Sequence, residues 1–199
     1  MRALVTGGAG FIGSHLVEAL LEAGHKVRVL DDFSTGSRTN LSALKGDLSV
    51  EEGSAAVPVT AGKAAADCDI VFHLAAIPSI QRGLEAPLES VRSNVMTTAV
   101  MLDAARLNGI SRFVLASSCA VYGMATPPLR ESVVTNPLSL YAATKSSSEA
   151  LVSAAAHSNG LQAMSLRFFN VYGPRQNPKG EYAAVVPRFV EAALAGRTP

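Results

Sequence analysis

Hydrophobic and polar positions follow two periods along this chain. Short, nearly continuous apolar runs at Ala3–Thr6, Val27–Leu30, Ile70–Leu74, Arg112–Ser117 and Ala163–Phe168 read as strands. Between them, residues 11–23, about 88–108 and about 139–158 repeat their apolar positions at helical spacing. Strands with little polar alternation are those covered on both faces, and in a chain that alternates strand with helix this means a parallel sheet flanked by helices on both sides. The expectation is an α/β fold with a doubly wound parallel sheet. The stretch 42–66 carries a weaker pattern, read as one more strand near 49–53 and a short helix. Ser-, Pro- and Gly-containing segments at 124–139 and 173–182 read as long loops, where binding often happens in compact domains.

The 199 residues suit one domain with a real core, and a hydrophobic content of 48% fits a globular chain. Charge narrows the picture by exclusion. Seventeen basic residues (17) against 16 acidic ones, spread along the chain for a net +1, leave no polycationic face for nucleic acid and no basic cluster for a membrane surface. The apolar N-terminus is broken by glycines and carries Arg2, Glu18 and Glu22, which matches neither a signal peptide nor a membrane span. Cys68 and Cys119 are too few for a disulfide framework and lack metal-ligand spacing with the histidines. Both read as small buried hydrophobes; no metal site is expected, and a cytoplasmic location is.

Chemistry enters with "TGGAGFIGSHLVEAL" at Thr6 to Leu20. A strand, a glycine turn, a helix and then a carboxylate at the end of the second strand form a dinucleotide-binding arrangement. In it Gly7 makes the turn, Gly10 admits the pyrophosphate and Gly13 lets the helix pack on the strand. The helix N-terminus offers N–H groups and positive dipole to the phosphates. Asp31, directly after "KVRVL", is placed to accept hydrogen bonds from both ribose hydroxyls, and an acid there repels a 2′-phosphate. NAD is favoured over NADP.

A second group of residues follows. "SSCAVYG" at 117–123 comes after a strand and "YAATK" at 141–145 opens a helix. Positions i and i+4 share a helix face, so the Tyr141 phenol and the Lys145 ammonium can point into one site. A phenol titrates near 10, and a base working near neutrality needs a neighbouring cation to favour phenolate; Lys145 is expected to be that cation. Ser118, at a strand's C-terminal end, lies where parallel sheets bind ligands and could hold a substrate oxygen.

The pieces "TGGAGFIGSHLV", "DDFSTGSRTNL", "VFHLAA", "SNVMTT", "SSCAVYG", "YAATK" and "RFFNVYGPRQNPKGEYAAVVPRFV" span almost the whole chain. Together they resemble the extended short-chain dehydrogenase/reductase family, in particular its nucleotide-sugar 4-epimerases. The resemblance implies an NAD-binding Rossmann domain over 1–199, with 170–199 the start of the substrate-binding region. It implies that Phe11, Ile12, Asp32, Ser34, Thr35 and Gly36 contact NAD, as do Leu74, Ala75, Ala76, Asn94 and Phe169. Ser118, Tyr141 and Lys145 match the catalytic trio, and Asn170 matches the residue that binds the nucleotide-sugar diphosphate. "EEGSAA" places Ser54, followed by Ala55, where the family usually holds adenine with an Asp; the hydroxyl can still hydrogen-bond but carries no charge.

By the same resemblance Tyr141 takes the proton of the sugar 4-hydroxyl while hydride passes from C4 to NAD. Ser118 holds O4, and the 4-keto sugar turns over before hydride returns to its other face. The substrate implied is a UDP-hexose. The sister dehydratases carry an Asp-Glu pair after the catalytic hydroxyl residue; Cys119 and Ala120 stand here, and neither exchanges a proton as a carboxyl does. Nucleotide-sugar decarboxylases share the trio and the "YGPR" run and remain an alternative. Family members run on for about another hundred residues, more than a single minimal domain, so most of the substrate lobe is expected to be absent. A further alternative is therefore a domain that binds NAD without turnover. Relatives pair through the helices equivalent to 88–108 and 139–158, which implies a homodimer.

Several reactive side chains read as structural. His73 in "VFHLAA" is expected to be a packed, hydrogen-bonded histidine and Tyr122 a packing residue, while Arg82 in "PSIQRG" reads equally as a solvated loop arginine or a contact to a substrate phosphate.

Overall fold

In the computed structural model, which describes residues 1–177 and 185–198, six strands pair in parallel throughout. They are β1 (Arg2–Thr6), β2 (Lys26–Asp31), β3 (Leu48–Glu52), β4 (Ile70–His73), β5 (Arg112–Ser118) and β6 (Gln162–Phe168), in the order β3-β2-β1-β4-β5-β6. The chain builds outward from β1 in one direction, then crosses back and builds outward in the other. The connections diverge between β1 and β4, so a crevice opens at the carboxyl ends of these strands, where α/β sheets bind ligands. The pairing of Thr6 with His73 brings those two ends side by side.

The helices are α1 (Phe11–Glu22), α2 (Thr39–Ser42), α3 (Pro58–Ala65), α4 (Ile80–Glu85), α5 (Pro87–Val91), α6 (Thr97–Leu107), α7 (Leu140–Asn159) and α8 (Val185–Leu194). Alternate residues of the inner strands β1, β2, β4 and β5 feed two cores. Ala3, Val5, Val27 and Val29 pack with Val17, Leu20 and Leu21 of α1 on one face. Leu4, Val71, Phe113 and Leu115 pack with the alanines of α3, Met101 of α6 and Val152 of α7 on the other. Fully burying a side chain such as Leu4 or Phe113 contributes about 1.5–3 kcal/mol, so both faces carry the sheet. The doubly wound sheet expected from the apolar runs is present, with the strand and short helix of 42–66 at β3 and α3.

The helix expected over 88–108 is divided. Pro87 opens α5, a π-helical turn occupies Arg92–Met96, and α6 follows. The wide turn frees the Asn94 carbonyl, which accepts from the hydroxyls of Thr97, Thr98 and Ser148. The sequence pattern did not announce α2, α4 or α8; the first two are too short for a period to register. Ser79 caps α4 by accepting from the Arg82 N–H. Ser139 caps α7 in the same way through Ala142, and Gly160, left-handed at φ 65°, ends it. Cys68 is buried as expected, whereas Cys119 is only half-buried, because it opens the 3-10 turn Cys119–Tyr122. The loop expected at 173–182 lies partly outside the described residues. Among the described residues no helix is long and apolar enough to cross a membrane.

The chain divides into two compact units, Met1–Phe168 and Phe169–Pro199. The first contains the whole sheet and α1 to α7; the second contains α8.

Candidate active site

The glycine turn is constrained by backbone contacts. Gly7 has φ +69°, and a Cβ on it would lie 2.8 Å from the Ala75 nitrogen beyond β4. A Cβ on Gly13 would lie 2.1 Å from the Gly7 carbonyl oxygen, so this glycine lets α1 pack on the turn itself, not on the strand as expected. A Cβ on Gly8, to which the motif assigned nothing, would lie 2.7 Å from the Val29 side chain of β2. Gly10 differs: its Cβ would meet only the Gly7 oxygen, at 3.2 Å. The first turn of α1, which Phe11 and Ile12 open, has no side-chain cap and no acidic residue. Its N–H donors and dipole thus face outward without a competing anion, which fits a bound pyrophosphate.

Asp31 is buried at the end of β2, 7% exposed, and its carboxylate ties two loops together. One oxygen accepts from the Ala9 N–H at 2.8 Å and the other from the Phe33 N–H at 2.9 Å. Burial pushes its pKa up, and these two bonds oppose the rise. Gly36 lies so close that a Cβ would stand 2.9 Å from the same carboxylate and from Ala9. Asp32, Ser34 and Thr35 are exposed beside it; the Ser34 hydroxyl and N–H both bond the Asp32 carboxylate. The Ser54 hydroxyl accepts from the Ala56 N–H at 3.2 Å, forming a turn, while the Ala55 side chain belongs to the core at 5% exposure.

At the end of β4, His73 is 1% exposed and its Nδ1 lies 2.8 Å from the Thr6 hydroxyl, which also accepts from the Ala75 N–H. Burial, then the Lys145 charge, pushes its pKa down to about 3. A neutral, packed histidine is what the sequence suggested. Leu74, Ala75 and Ala76 continue into a segment held by Asn94: its amide oxygen accepts from the Ile77 N–H at 2.8 Å, and its amide nitrogen donates to the Ile77 carbonyl and the Thr144 hydroxyl. Buried at 2% exposure, Asn94 braces the end of β4 against α7.

Ser118, Tyr141 and Lys145 meet where β5 ends against the first turns of α7. The Ser118 hydroxyl lies close enough to the Tyr141 phenol to favour its ionised form, and the Ser118 Oγ accepts from the Ala120 N–H. Lys145 is 5% exposed and its Nζ donates to the Ala116 carbonyl at 2.8 Å. The electrostatics differ from expectation. Burial pushes the Tyr141 pKa up, and Ser118, not Lys145, opposes that rise. Burial likewise lowers Lys145 to about 8. Desolvation disfavours both charges, and the ammonium takes a backbone carbonyl as its partner.

The sequence reading missed Glu149, one turn beyond Lys145. Its carboxylate accepts from the Ser117 hydroxyl at 2.5 Å and grips Arg167 of β6 through Nε and Nη2, the latter at 2.8 Å. The signal was present: Tyr141, Lys145 and Glu149 recur at every fourth position, one face of one helix. Phe169 and Asn170 open the second unit. Arg82 pairs with Glu89 on the surface, and Tyr122 is 4% exposed beneath the Arg167 guanidinium.

A parallel sheet with order 3-2-1-4-5-6, a glycine turn at its switch point and a Ser-Tyr-Lys set at its rim define a dinucleotide-binding domain that carries acid–base groups. The chain belongs to the NAD dependent epimerase/dehydratase family, whose profile matches residues 3–199. It is 42% identical to the UDP-glucose 4-epimerase of Mycolicibacterium smegmatis, over 100% of this chain and 64% of the relative. It is 38% identical to the UDP-N-acetyl-alpha-D-glucosaminuronate decarboxylase of Bacillus cytotoxicus, over 98% of this chain and 62% of the relative. Among solved structures, UDP-N-acetylglucosamine 4-epimerase from Methanobrevibacter ruminantium superposes with a TM-score of 0.94 at 38% identity. The Thermus thermophilus UDP-glucose 4-epimerase complex with NAD superposes at 0.91, also at 38% identity. Each alignment covers 100% of this chain and 64% of the solved one, so the chain spans less than two thirds of these relatives' length.

Proposed function

We propose that this chain provides the cofactor-binding and acid–base part of an NAD-dependent UDP-hexose 4-epimerase. The observation that carries the reading is the Ser118–Tyr141 hydroxyl pair at the end of β5, with Lys145 buried one turn along α7. Residues 170–199 then begin the substrate-binding region, where Asn170 would meet the diphosphate.

Residues of the glycine turn and first turn of α1 would hold the pyrophosphate of NAD, Asp31 the adenine ribose, and the 74–76 segment with Tyr141 and Lys145 the nicotinamide end. When bound, NAD supplies a reversible hydride acceptor at the sugar C4. The chain's own part is proton transfer. The phenol oxygen of Tyr141 takes the 4-hydroxyl proton as C4 is oxidised and gives it back as C4 is reduced. Ser118, whose oxygen already accepts from Ala120, has its proton free to steady O4 or the phenolate. Lys145, lowered to about 8, is still mostly charged near neutral pH, and its ammonium can stabilise the phenolate when that forms.

The test is titration with NAD followed by an assay of UDP-galactose turnover to UDP-glucose. NAD binding with UDP-glucose formation supports the reading, and binding without turnover rejects it for this chain. Decarboxylation is the second reading, favoured by the 38% identity to the Bacillus cytotoxicus enzyme; release of carbon dioxide from a UDP-uronate would establish it. Dehydration is disfavoured because Cys119 and Ala120 offer no carboxyl after Ser118.

A homodimer is supported by apolar side chains left in solvent around α4 to α6: Leu84 at 72%, Leu88 at 84% and Met96 at 52% exposure. Sedimentation at the mass of two chains would confirm it. The free thiols of Cys68 and Cys119 are in keeping with a cytoplasmic location.

A further inference from the structure

Three consecutive residues at the end of β5 face three successive turns of α7. The Ala116 carbonyl accepts from Lys145, the Ser117 hydroxyl donates to Glu149, and the Ser118 hydroxyl stands beside the Tyr141 phenol. Two of these α7 residues belong to the proposed catalytic trio; Glu149 does not. Its carboxylate nevertheless bears on both flanks of Ser118, directly on one and through Arg167 on the other. On the N-terminal side it holds Ser117. On the C-terminal side it holds Arg167, the register partner of Ser117, whose guanidinium lies 4.7 Å above the ring of Tyr122 and reaches the Glu131 carbonyl. Tyr122 ends the 3-10 turn that starts right after Ser118.

We propose that Glu149 is a positioning residue: through Ser117 before Ser118 and through Arg167 and Tyr122 after it, its carboxylate sets the Ser118 hydroxyl against the Tyr141 phenol. The side chains of Glu149 and Arg167 are only 15% and 21% exposed, so this pair keeps its geometry better than the exposed pairs on the surface. Removing the carboxylate lets Ser117 and the turn relax, and Ser118 loses its aim. The inference rests on the epimerase reading for its catalytic meaning, but not for its geometry.

The test observes Tyr141 directly. The four tyrosines are labelled with carbon-13 at Cζ, whose resonance reports hydrogen bonding to the phenol. Tyr141→Phe assigns the line, and Ser118→Ala marks where that line falls without the serine hydroxyl. Ser117→Ala and Glu149→Gln are each expected to move the Tyr141 line toward that mark at neutral pH, with circular dichroism and NAD affinity unchanged. A line that stays at its wild-type position in both variants overturns the proposal. Should Glu149→Gln fail to fold, Ser117→Ala, which removes a single hydroxyl, decides alone. In turnover, kcat is expected to fall about tenfold with KM within about twofold; a raised KM with kcat intact overturns the proposal. A wild-type chain that binds NAD yet turns over no UDP-hexose defeats the epimerase reading, while the resonance comparison still tests the positioning role.

Discussion

The Ser118 hydroxyl stands beside the Tyr141 phenol and favours the tyrosinate against the cost of burial. The lysine one turn away instead holds a backbone carbonyl. In the proposed reaction, proton removal by Tyr141 would lean on Ser118 first.

Tyr141→Phe keeps the ring and removes the proton acceptor. Loss of a positioned general base costs about 10²–10⁴-fold in rate. We expect kcat for UDP-galactose to fall within that range while NAD affinity changes little, measured by steady-state kinetics and calorimetry. Near-normal turnover would remove Tyr141 from the mechanism.

Gly13 and Gly62 form a contrasting pair. Gly13→Ala drives a Cβ to 2.1 Å from a backbone oxygen, so the turn must open. The expected result is a loss of about 1–3 kcal/mol in urea unfolding together with loss of NAD binding. Gly62, inside α3, has nothing within 4 Å of the added Cβ. Gly62→Ala is expected to stabilise by about 0.5–1 kcal/mol, because alanine loses less backbone entropy on folding.

His73 gives the fold an acid limit. Its folded pKa, about 3, lies below the ordinary 6.5, so the unfolded chain binds the extra proton between these values. Stability falls as pH drops from 6.5 toward 3, by at most about 1.4 kcal/mol per pH unit. His73→Asn should flatten that part of the stability–pH curve; an unchanged slope would show that His73 takes up its proton in the folded state without cost.

Lys145 acts at the other end of the scale. Its folded pKa of about 8 lies below 10.5, so the buried ammonium penalises folding below pH 8 and the penalty is relieved as pH rises from 8 to 10.5. Wild-type stability should contain a rising component of up to about 1.4 kcal/mol per pH unit across this window. Lys145→Met should lack it. Equal slopes in the two proteins would place the ammonium in a solvated site.

Asp31 bonds both Ala9 and Phe33, so its removal loosens the turn and the loop together. Asp31→Ser should weaken NAD about tenfold, equivalent to about 1.4 kcal/mol, and narrow the preference over NADP, read by fluorescence titration with both dinucleotides.

Much of the site could be read along the chain because its parts are local. The Tyr141–Lys145 spacing is a property of one helix, and the turn from Gly7 to Gly13 is a property of one strand–helix junction. The uncapped N-terminus of α1 and the carboxylate ending β2 are equally close at hand. Asn94 illustrates what was hidden: its role depends on a π-helical turn that no apolar period reveals, and on Ile77 and Thr144, which are distant in sequence. Ala55 is a similar case, since only the packed core shows that it is buried.

By itself, then, the amino-acid order determined the alternation of strand and helix, the parallel sheet with two covered faces, and the residue types that carry the chemistry. Each of these follows from hydrophobic period and backbone sterics acting within a few residues. Only the tertiary structure decided the partners: that Lys145 bonds Ala116, that Ser118 faces Tyr141, and that Glu149 joins β5 to β6. The physical reason is that burial sets the cost of each charge and dictates which polar group must answer it. Burial is a property of the assembled sheet and helices, not of neighbouring positions in the chain.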